Sequence, residues 1–196
     1  GLVLTLANDV IGTGPKLQIP TDASTAPADI LRVERSWQAW AREVRLAEKL
    51  RTMRMARADS GEAFLILTSN PGLRHPVKLD LRVVEADQIE TPWKFVEDPL
   101  VRDGIRFDDA GNRVSYYVRK AHPGSQRATD VMDAFGRFET VPASSVVHYY
   151  REDRPGQVRG VPDLTPALQL FAQLRRYNNW AEYVFFFNDT ATTEIY

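Results

Sequence analysis

The clearest pattern along the chain is a helical one that starts at Ala28. Apolar residues then recur at alternating spacings of three and four, which is expected for one buried stripe of an amphipathic helix. Arginines and glutamates lie mostly off that stripe, and a second apolar phase follows the first. The pattern predicts one long helix, Ala28–Ala58, that bends or restarts near Arg45 and is closed by Gly61.

Short apolar or alternating runs separated by turn residues follow the helix and predict strands. Ala63–Ser69 and Leu79–Val84 are two such runs, and Gly104–Val118 predicts a hairpin around the turn Asp108–Asn112. Val146–Tyr150 is β-branched and aromatic and predicts a short, largely buried strand. The resulting fold class is α+β, with the long helix packed on antiparallel strands.

The remaining segments are predicted to connect these elements. Leu2–Val10 is an apolar lead-in to a glycine turn, and Ile19–Pro27 has the composition of a linker. Arg119–Arg137 is polar and irregular and predicts an exposed loop. Leu164–Val184 predicts a helix with Pro166 in its first turn.

The last residues have the character of a non-native tail. Asn188–Tyr196 reads NDTATTEIY, which is the in-frame translation of a common sequencing adapter. We expect residues 185–196 to be a read-through product, and the sequon at Asn188 is disregarded for that reason. The chain also begins with Gly1 instead of Met, so we expect an internal fragment of a gene.

Composition limits the class of protein without naming a function. The chain has 196 residues, 43% of them hydrophobic, no cysteine and a net charge of −1. This is an ordinary globular composition, and it excludes disulfide scaffolds, cysteine zinc sites and thiol chemistry. Near-neutral charge gives no electrostatic argument for tight nucleic-acid binding over the whole surface. No apolar run approaches the roughly 20 residues of a membrane span.

Catalytic and cofactor motifs are missing from the sequence, so we expect no enzyme activity, cofactor or metal. There is no nucleophile elbow, zinc-protease motif or Walker lysine loop, and the glycine pair Gly12 and Gly14 lacks the rest of a phosphate loop. Asp108 and Asp109 fit turn chemistry better than a calcium loop. The histidines are far apart in sequence and are predicted to be structural: His75, His122 and His148.

The segment after the last predicted strand is dense in arginine, proline and glycine. Arg151, Arg154 and Arg159 fall in a turn whose proline fixes φ and whose glycines allow positive φ or close backbone approach. Several guanidinium groups on one rigid turn suit carboxylates, phosphates or carbonyls of a neighbouring subunit. The alternative is an exposed loop with solvated arginines. The candidate residues for a subunit interface or a structural turn are Arg154, Gly156, Gln157, Arg159 and Gly160.

The same segment resembles a known family. The run VVHYYREDRPGQVRGVPDL at residues 146–164 is similar to the strand and turn that precede a long helix in lambda-type phage portal proteins. Further blocks agree in order, so the resemblance covers roughly residues 1–184. These blocks are LANDVIGTGPKLQ near the start, the pair Trp37 and Trp40, Gly61–Leu67, Val84–Pro92, Gly104–Val118 and Val141–Ala143.

The resemblance implies an architecture and a set of partners. Residues 1–27 would be an N-terminal segment and linker, residues 28–163 the α+β wing-like body, and residues 164–184 the start of a helix toward a missing stem. The family forms a homo-oligomeric ring, typically of twelve subunits, at one vertex of the virion capsid, assembled in the bacterial host cytoplasm. Double-stranded DNA passes through it without sequence-specific contacts. The terminase large subunit, the major capsid protein and head-completion proteins are the other partners, and no membrane is involved.

Two other classes of function stay open on the residues alone. A nucleic-acid-binding module that uses the tryptophan pair and the arginine turn would bind DNA in a salt-sensitive way. An enzyme domain whose site residues lie outside this fragment would show a deep pocket with converging polar groups. The tryptophans are predicted to be core anchors that dock the long helix on a sheet.

Overall fold

Helices form the first layer of the fold. The structure is a computed structural model and describes residues 1–20, 26–121 and 137–177. Helix α1 spans Leu2–Ile11, α2 spans Pro27–Glu43 and α3 spans Leu46–Ser60. A first compact unit comprises Gly1–Pro162, and a second begins at Asp163.

Helices α2 and α3 are the predicted long helix, interrupted where its apolar phase changes. Arg45 lies in the left-handed region, with φ 55°. Val44 and Leu46 on either side of the break are both buried. Gly61 ends α3 with φ 91°. The predicted break at Arg45 and the stop at Gly61 are therefore confirmed.

Helix α1 was not predicted. The apolar lead-in Leu2–Val10 is helical, and Gly12 ends the helix with φ 54°. Ala7 is fully buried, and α1 packs against α3. The small side chain of Ala7 allows this close packing. The helix was not predicted because apolar residues lie on several sides of it, so the sequence shows no clear helical period.

Seven strands form two antiparallel sheets in the described ranges. The first sheet has the order β2-β1-β7 and the second has the order β3-β4-β5-β6. The prediction of antiparallel strands from about Glu62 to Tyr150 is confirmed, as is the α+β fold class. The strand bounds are β1 Glu62–Ser69, β2 Leu79–Val84, β3 Val101–Arg102, β4 Ile105–Phe107, β5 Arg113–Arg119, β6 Phe138–Pro142 and β7 Val146–Tyr150.

Strand β1 is the centre of the body because both of its faces are covered. Phe64 and Ile66 belong to a core that the first sheet shares with Ile105 and Val118 of the second sheet. The alternate residues of β1 belong to a second core with the helices, in which Trp40 is buried. The period of two along a strand thus places helices on one face of the first sheet and the second sheet on the other. Phe64 belongs to the first of these cores, and Leu65, the next residue of β1, belongs to the second.

Strand β7 is more exposed than predicted. It pairs with β1 alone and lies at the edge of the first sheet. Val147 is 48% exposed, so the prediction of a largely buried strand is wrong for this residue. An edge strand has a neighbour on one side only, which explains the lower burial.

The second sheet contains the predicted hairpin and one that was missed. Strands β4 and β5 flank the turn Asp108–Asn112 as predicted, although Val114 is 46% exposed. Strands β3 and β4 are joined by Asp103 and Gly104, both with positive φ. This is the arrangement of a two-residue type I′ hairpin. A strand as short as β3 leaves too little alternation to detect.

Several predicted segments lie partly or wholly outside the described residues. These are the linker residues 21–25, loop residues 122–136, helix residues 178–184 and the tail at 185–196. Where it is described, the predicted helix from Leu164 begins with a 3₁₀ turn at Thr165–Ala167, and residues 168–177 are helical. Within the described ranges, no helix combines the length and the apolar character that crossing a membrane requires.

Candidate functional site: the turn after β7

The turn that follows β7 is held in shape by Gln157. The amide oxygen of Gln157 accepts a hydrogen bond from the backbone N–H of Asp153 at 2.9 Å. Its amide nitrogen donates to the carbonyl oxygens of Arg151 at 3.3 Å and Arg159 at 2.7 Å. One side chain therefore joins both limbs of the turn, and Gly156 at its tip has φ 76°.

Glu62, the first residue of β1, is the buried acceptor for this turn. Its side chain is only 3% exposed. One carboxylate oxygen accepts from Nε of Arg159. The other accepts from the backbone N–H of Gly160 at 2.8 Å and from Nε2 of His148 at 2.9 Å. The buried charge is thus paired and hydrogen-bonded, as burial of a carboxylate requires.

Arg159 connects this acceptor to the rest of the body. Its Nη1 donates to the carbonyl oxygens of Asp103 at 2.7 Å and Ile89 at 3.2 Å. Its Nη2 donates to the carbonyl oxygen of Ala86 at 3.0 Å. Asp103 lies in the β3–β4 turn of the second sheet, whereas Glu62 lies in the first. A single guanidinium fork therefore ties the two sheets and the segment between them together.

His148 completes the network from β7. Its ring stacks between the rings of Phe64 and Tyr150, with centroid distances of 4.2 Å to each. Burial lowers the pKa of His148 below its ordinary value, although the hydrogen bond with Glu62 opposes this effect. Nδ1 is buried with no hydrogen-bond partner among the described residues. The ring is therefore neutral at pH 7, with its proton on Nε2 facing Glu62.

The carboxyl of Glu62 is ionised in this environment. Burial by itself would raise its pKa. The hydrogen bonds from His148 and Gly160 and the charge of Arg159 act in the opposite direction, and together they hold the pKa of Glu62 below its ordinary value. The network therefore contains one anion, one cation and one neutral imidazole at neutral pH.

Two glycines allow the turn to reach Glu62. A Cβ atom added at Gly160 would lie 2.1 Å from the carbonyl oxygen of Gly61. A Cβ atom added at Gly61 would lie 2.6 Å from the carbonyl carbon of Val161. Neither position has room for a side chain, so the two backbones touch directly where α3 meets β1.

The five predicted turn residues have different surroundings. Gln157, Arg159 and Gly160 make contacts inside the body, which fits a structural turn. Arg154 is exposed, and its side chain makes no hydrogen bond or ion pair with the described residues. Gly156 has open space around its Cα. Arg151, also named in the sequence analysis, pairs with Asp153 on the surface at 2.6 Å.

Glu62 is the functional residue that sequence reasoning missed. The block that begins at Gly61 carried the family resemblance, but no role was given to the glutamate in it. The available signal was a lone carboxylate at the start of a strongly apolar strand, directly after a glycine. A carboxylate that is buried at such a position needs a cationic partner, and the residues directly beside it in sequence do not provide one.

Other candidate residues are structural. Trp40 is 7% exposed and donates from Nε1 to the carbonyl oxygen of Leu79 at 2.8 Å, which confirms it as a core anchor. Asp108 accepts from the backbone N–H of Asn112 at 2.7 Å, so the acidic pair belongs to a turn. His75 contacts Ser36 at 3.2 Å, and His122 lies outside the described residues. The described ranges hold no group of three or more residues placed to bind a metal.

Comparison with known proteins supports one family. The profile described as "Phage portal protein, lambda family" matches residues 1–183. No curated protein sequence gives a significant match. The profile match spans nearly all of the chain, including the turn after β7 and the strand that holds Glu62, and it confirms the resemblance read from the separate sequence blocks. This chain therefore belongs to the lambda family of phage portal proteins.

Proposed function

We propose that this chain is a subunit of the ring at one vertex of a phage capsid through which double-stranded DNA is packaged and ejected. The terminase large subunit docks on that ring during packaging, and head-completion proteins attach to it later. The major capsid protein surrounds it. The ring is a conduit and a docking platform, and the hydrolysis that drives DNA lies on another chain.

Family membership supports the coarser part of this proposal. Lambda-family portal proteins are structural components of the phage head, they act as oligomers, and the family is not an enzymatic one. The finer part of the proposal is that this chain forms a ring of twelve subunits, that DNA is ejected through the ring and that terminase docks on it. Its source is an active phage or a prophage.

The observation that carries the interface part of the proposal is the build of the turn after β7. Arg159 and Gln157 fix the turn from inside, through hydrogen bonds to Asp103 and Arg151 among others. Arg154 lies at the exposed side of this fixed turn. Because the backbone of the turn is already fixed, binding has to order only the Arg154 side chain, and its guanidinium suits a carboxylate or carbonyl of a neighbouring subunit.

The charge of the chain suits a passage for DNA. Without the tail residues Asp189 and Glu194, the chain contains 25 basic and 24 acidic residues. Tight phosphate binding needs an excess of Lys and Arg, and it would hold DNA in place. A near-neutral subunit allows DNA to slide with weak contacts and without base readout.

We assign residues 28–163 to the wing-like body of the ring and residues 164–184 to the helix that leads toward the stem. The described part of that helix carries exposed apolar residues, among them Leu170 at 61% and Leu174 at 57%. Apolar residues on one helix are expected to be covered by further chain or by neighbouring subunits.

Electron microscopy and native mass measurement of the intact gene product test the proposal. Residues 185–196, which we expect to be a non-native tail, would be left out of the expressed protein. Rings with a central channel are expected. A compact monomer at every salt concentration would overturn the proposal. DNA binding by the isolated chain that is tight at low salt and weakens steeply as the salt concentration rises would instead favour a nucleic-acid-binding module.

A further inference from the structure

A basic cleft lies where α2 meets α3. It has a volume of about 490 Å³ and is bounded by the residues after α1 and by the two helix ends. Its charged lining consists of four cations and one carboxylate. These residues, which we call the basic cleft, are Lys16, Arg42, Arg45, Arg51 and Glu48.

Most of the positive charge of the basic cleft has no carboxylate partner. Arg45 pairs with Glu48. Lys16, Arg42 and Arg51 form no ion pair with the described residues. Arg51 donates to the carbonyl oxygen of Gly12 at 3.2 Å, which orients its guanidinium toward the cleft wall. The basic cleft therefore presents a net positive charge to whatever enters it.

An acidic segment with exposed apolar side chains follows β2. Residues 85–98 contain five carboxylates and one lysine: Glu85, Asp87, Glu90, Glu97, Asp98 and Lys94. Asp87 and Glu97 form no ion pair with the described residues. Trp93 is 67% exposed and Val96 is 68% exposed. Exposed tryptophan beside unpaired charge is typical of a surface that binds another protein.

The basic cleft and the acidic segment lie at opposite ends of the first sheet. At the start of β2, Lys49 pairs with Asp80 at 2.7 Å, which fixes the α3 start beside this end. The acidic segment begins directly after the last β2 residue, Val84. Six residues of strand span roughly 17 Å. The two surfaces are therefore too far apart to bind each other within one subunit.

We propose that the acidic segment of one subunit docks in the basic cleft of the next subunit. Asp87 and Glu97 face the cleft cations, and the indole of Trp93 packs on the apolar floor that Ala41 and Leu46 supply. This inference rests on the proposed function, because the occupant is a second copy of the chain. The observation that selects this occupant is the complementary charge at opposite ends of one body.

The geometry of such a contact produces a ring. A contact between two different surfaces is head-to-tail, and repetition closes it into a ring when the rotation per subunit allows. Arg159 fixes the acidic segment by donating to Ala86 and Ile89, so the segment and the turn after β7 lie at the same end. Arg154 therefore belongs to the same side of the subunit as the docking segment.

Cysteine crosslinking of the full-length protein tests the contact. Residues 1–196 contain no cysteine, and any cysteine elsewhere in the full-length protein is first replaced by serine, so that the introduced pair is the only thiol chemistry present. We expect Arg45→Cys with Val96→Cys, treated with a short bismaleimide, to give a ladder of covalent oligomers from assembled rings. Each single variant should give no ladder. Arg35→Cys with Val96→Cys is the matched control, because Arg35 is exposed on α2 but does not line the cleft.

Charge reversal provides a second readout that does not depend on crosslinking. Arg42→Glu should lower the yield of rings by about tenfold or more, because like charges then face each other. Adding Glu97→Arg to the same chain should restore part of the yield, while Arg35→Glu should leave it unchanged. Each variant should keep the circular dichroism and melting temperature of the parent subunit.

The outcomes separate this inference from the proposed function. Rings that are visible by electron microscopy but give no ladder, and that tolerate Arg42→Glu, would overturn the inference and leave the portal function standing. A cysteine-free parent protein that never forms rings would overturn both.

Discussion

Gly61 and Gly160 touch through their backbones. Glu62, the residue after Gly61, is 98 positions from Gly160 along the chain. The contact places the N–H of Gly160 on the carboxylate of Glu62 and lets Arg159 reach the same group. The end of α3, the start of β1 and the turn after β7 are thereby fixed relative to one another.

A methyl group at Gly160 should therefore break this backbone contact and destabilise the folded protein. Gly160→Ala places Cβ 2.1 Å from the carbonyl oxygen of Gly61, a backbone atom that can shift only if the chain around it shifts as well. We expect the free energy of unfolding to fall by about 3 kcal/mol or more, at the upper end of overpacking effects. Urea denaturation measures this change.

Gly156→Ala is the matched control for that experiment. Gly156 has positive φ but open space around it, so alanine should cost only about 1–2 kcal/mol through the left-handed backbone. Equal losses at the two glycines would show that the backbone contact has no special energetic weight.

Removing Arg159 should be far more damaging than removing a surface arginine. Arg159→Ala leaves the buried carboxylate of Glu62 without its cation, and we expect a loss of about 3–5 kcal/mol in unfolding free energy. Arg159→Lys should be intermediate, because lysine keeps the charge but loses the planar fork.

Arg151→Ala serves as the comparison in the same denaturation series. Its pair with Asp153 is about half exposed, so the loss should be about 0–1 kcal/mol. If Arg159→Ala and Arg151→Ala were equally stable, Arg159 would have no role in joining the two sheets.

Stability should fall in mild acid because of His148. Its folded pKa lies below the ordinary value of 6.5, mainly because of burial. Below pH 6.5 the unfolded chain gains a proton at this histidine that the folded protein resists, so the free energy of unfolding falls as the pH drops below about 6.5. Glu62 adds a second loss below its ordinary value of 4.5, as the pH falls toward its lower folded pKa.

Thermal melts between pH 8 and pH 4 check this, with His148→Gln as the control variant. Glutamine removes the titrating ring, so the decline that starts near 6.5 should flatten while the later decline from Glu62 remains. Superimposable pH profiles for the two proteins would exclude His148 as the source.

Arg154→Ala should act on assembly and not on folding. The side chain is exposed and makes no bond within the described residues, so the free energy of unfolding should change by less than about 0.5 kcal/mol. The yield of rings from the full-length protein should fall. Ring yield equal to that of the parent, measured by native mass, would remove Arg154 from the subunit interface.

The sequence predicted those parts of the fold that depend on local pattern. The change of apolar phase near Arg45 located the break between α2 and α3, and the turn residues around Asp108 located a hairpin. Helix α1 was missed because its apolar residues lie on several faces and show no clear period. The exposure of Val147 was missed because strand composition does not reveal which strand lies at an edge.

The centre of the candidate site could not be predicted in the same way. The turn residues Gln157, Arg159 and Gly160 were identified from local composition and from the family resemblance. Their acceptor, Glu62, is 97 residues from Arg159 in sequence. A pairing across that distance depends on strand β7 lying beside β1, which is a property of the topology and leaves no periodic trace.

That same separation gives the order in which the subunit matures during synthesis. Strand β1 leaves the ribosome long before Arg159 is synthesised. The carboxylate of Glu62 is therefore solvated until the later segment folds against it and buries it. Contacts between distant segments form late, after the chain has paid for closing the loop between them. The surface around Arg154 is therefore expected to become rigid only in a subunit whose body has closed.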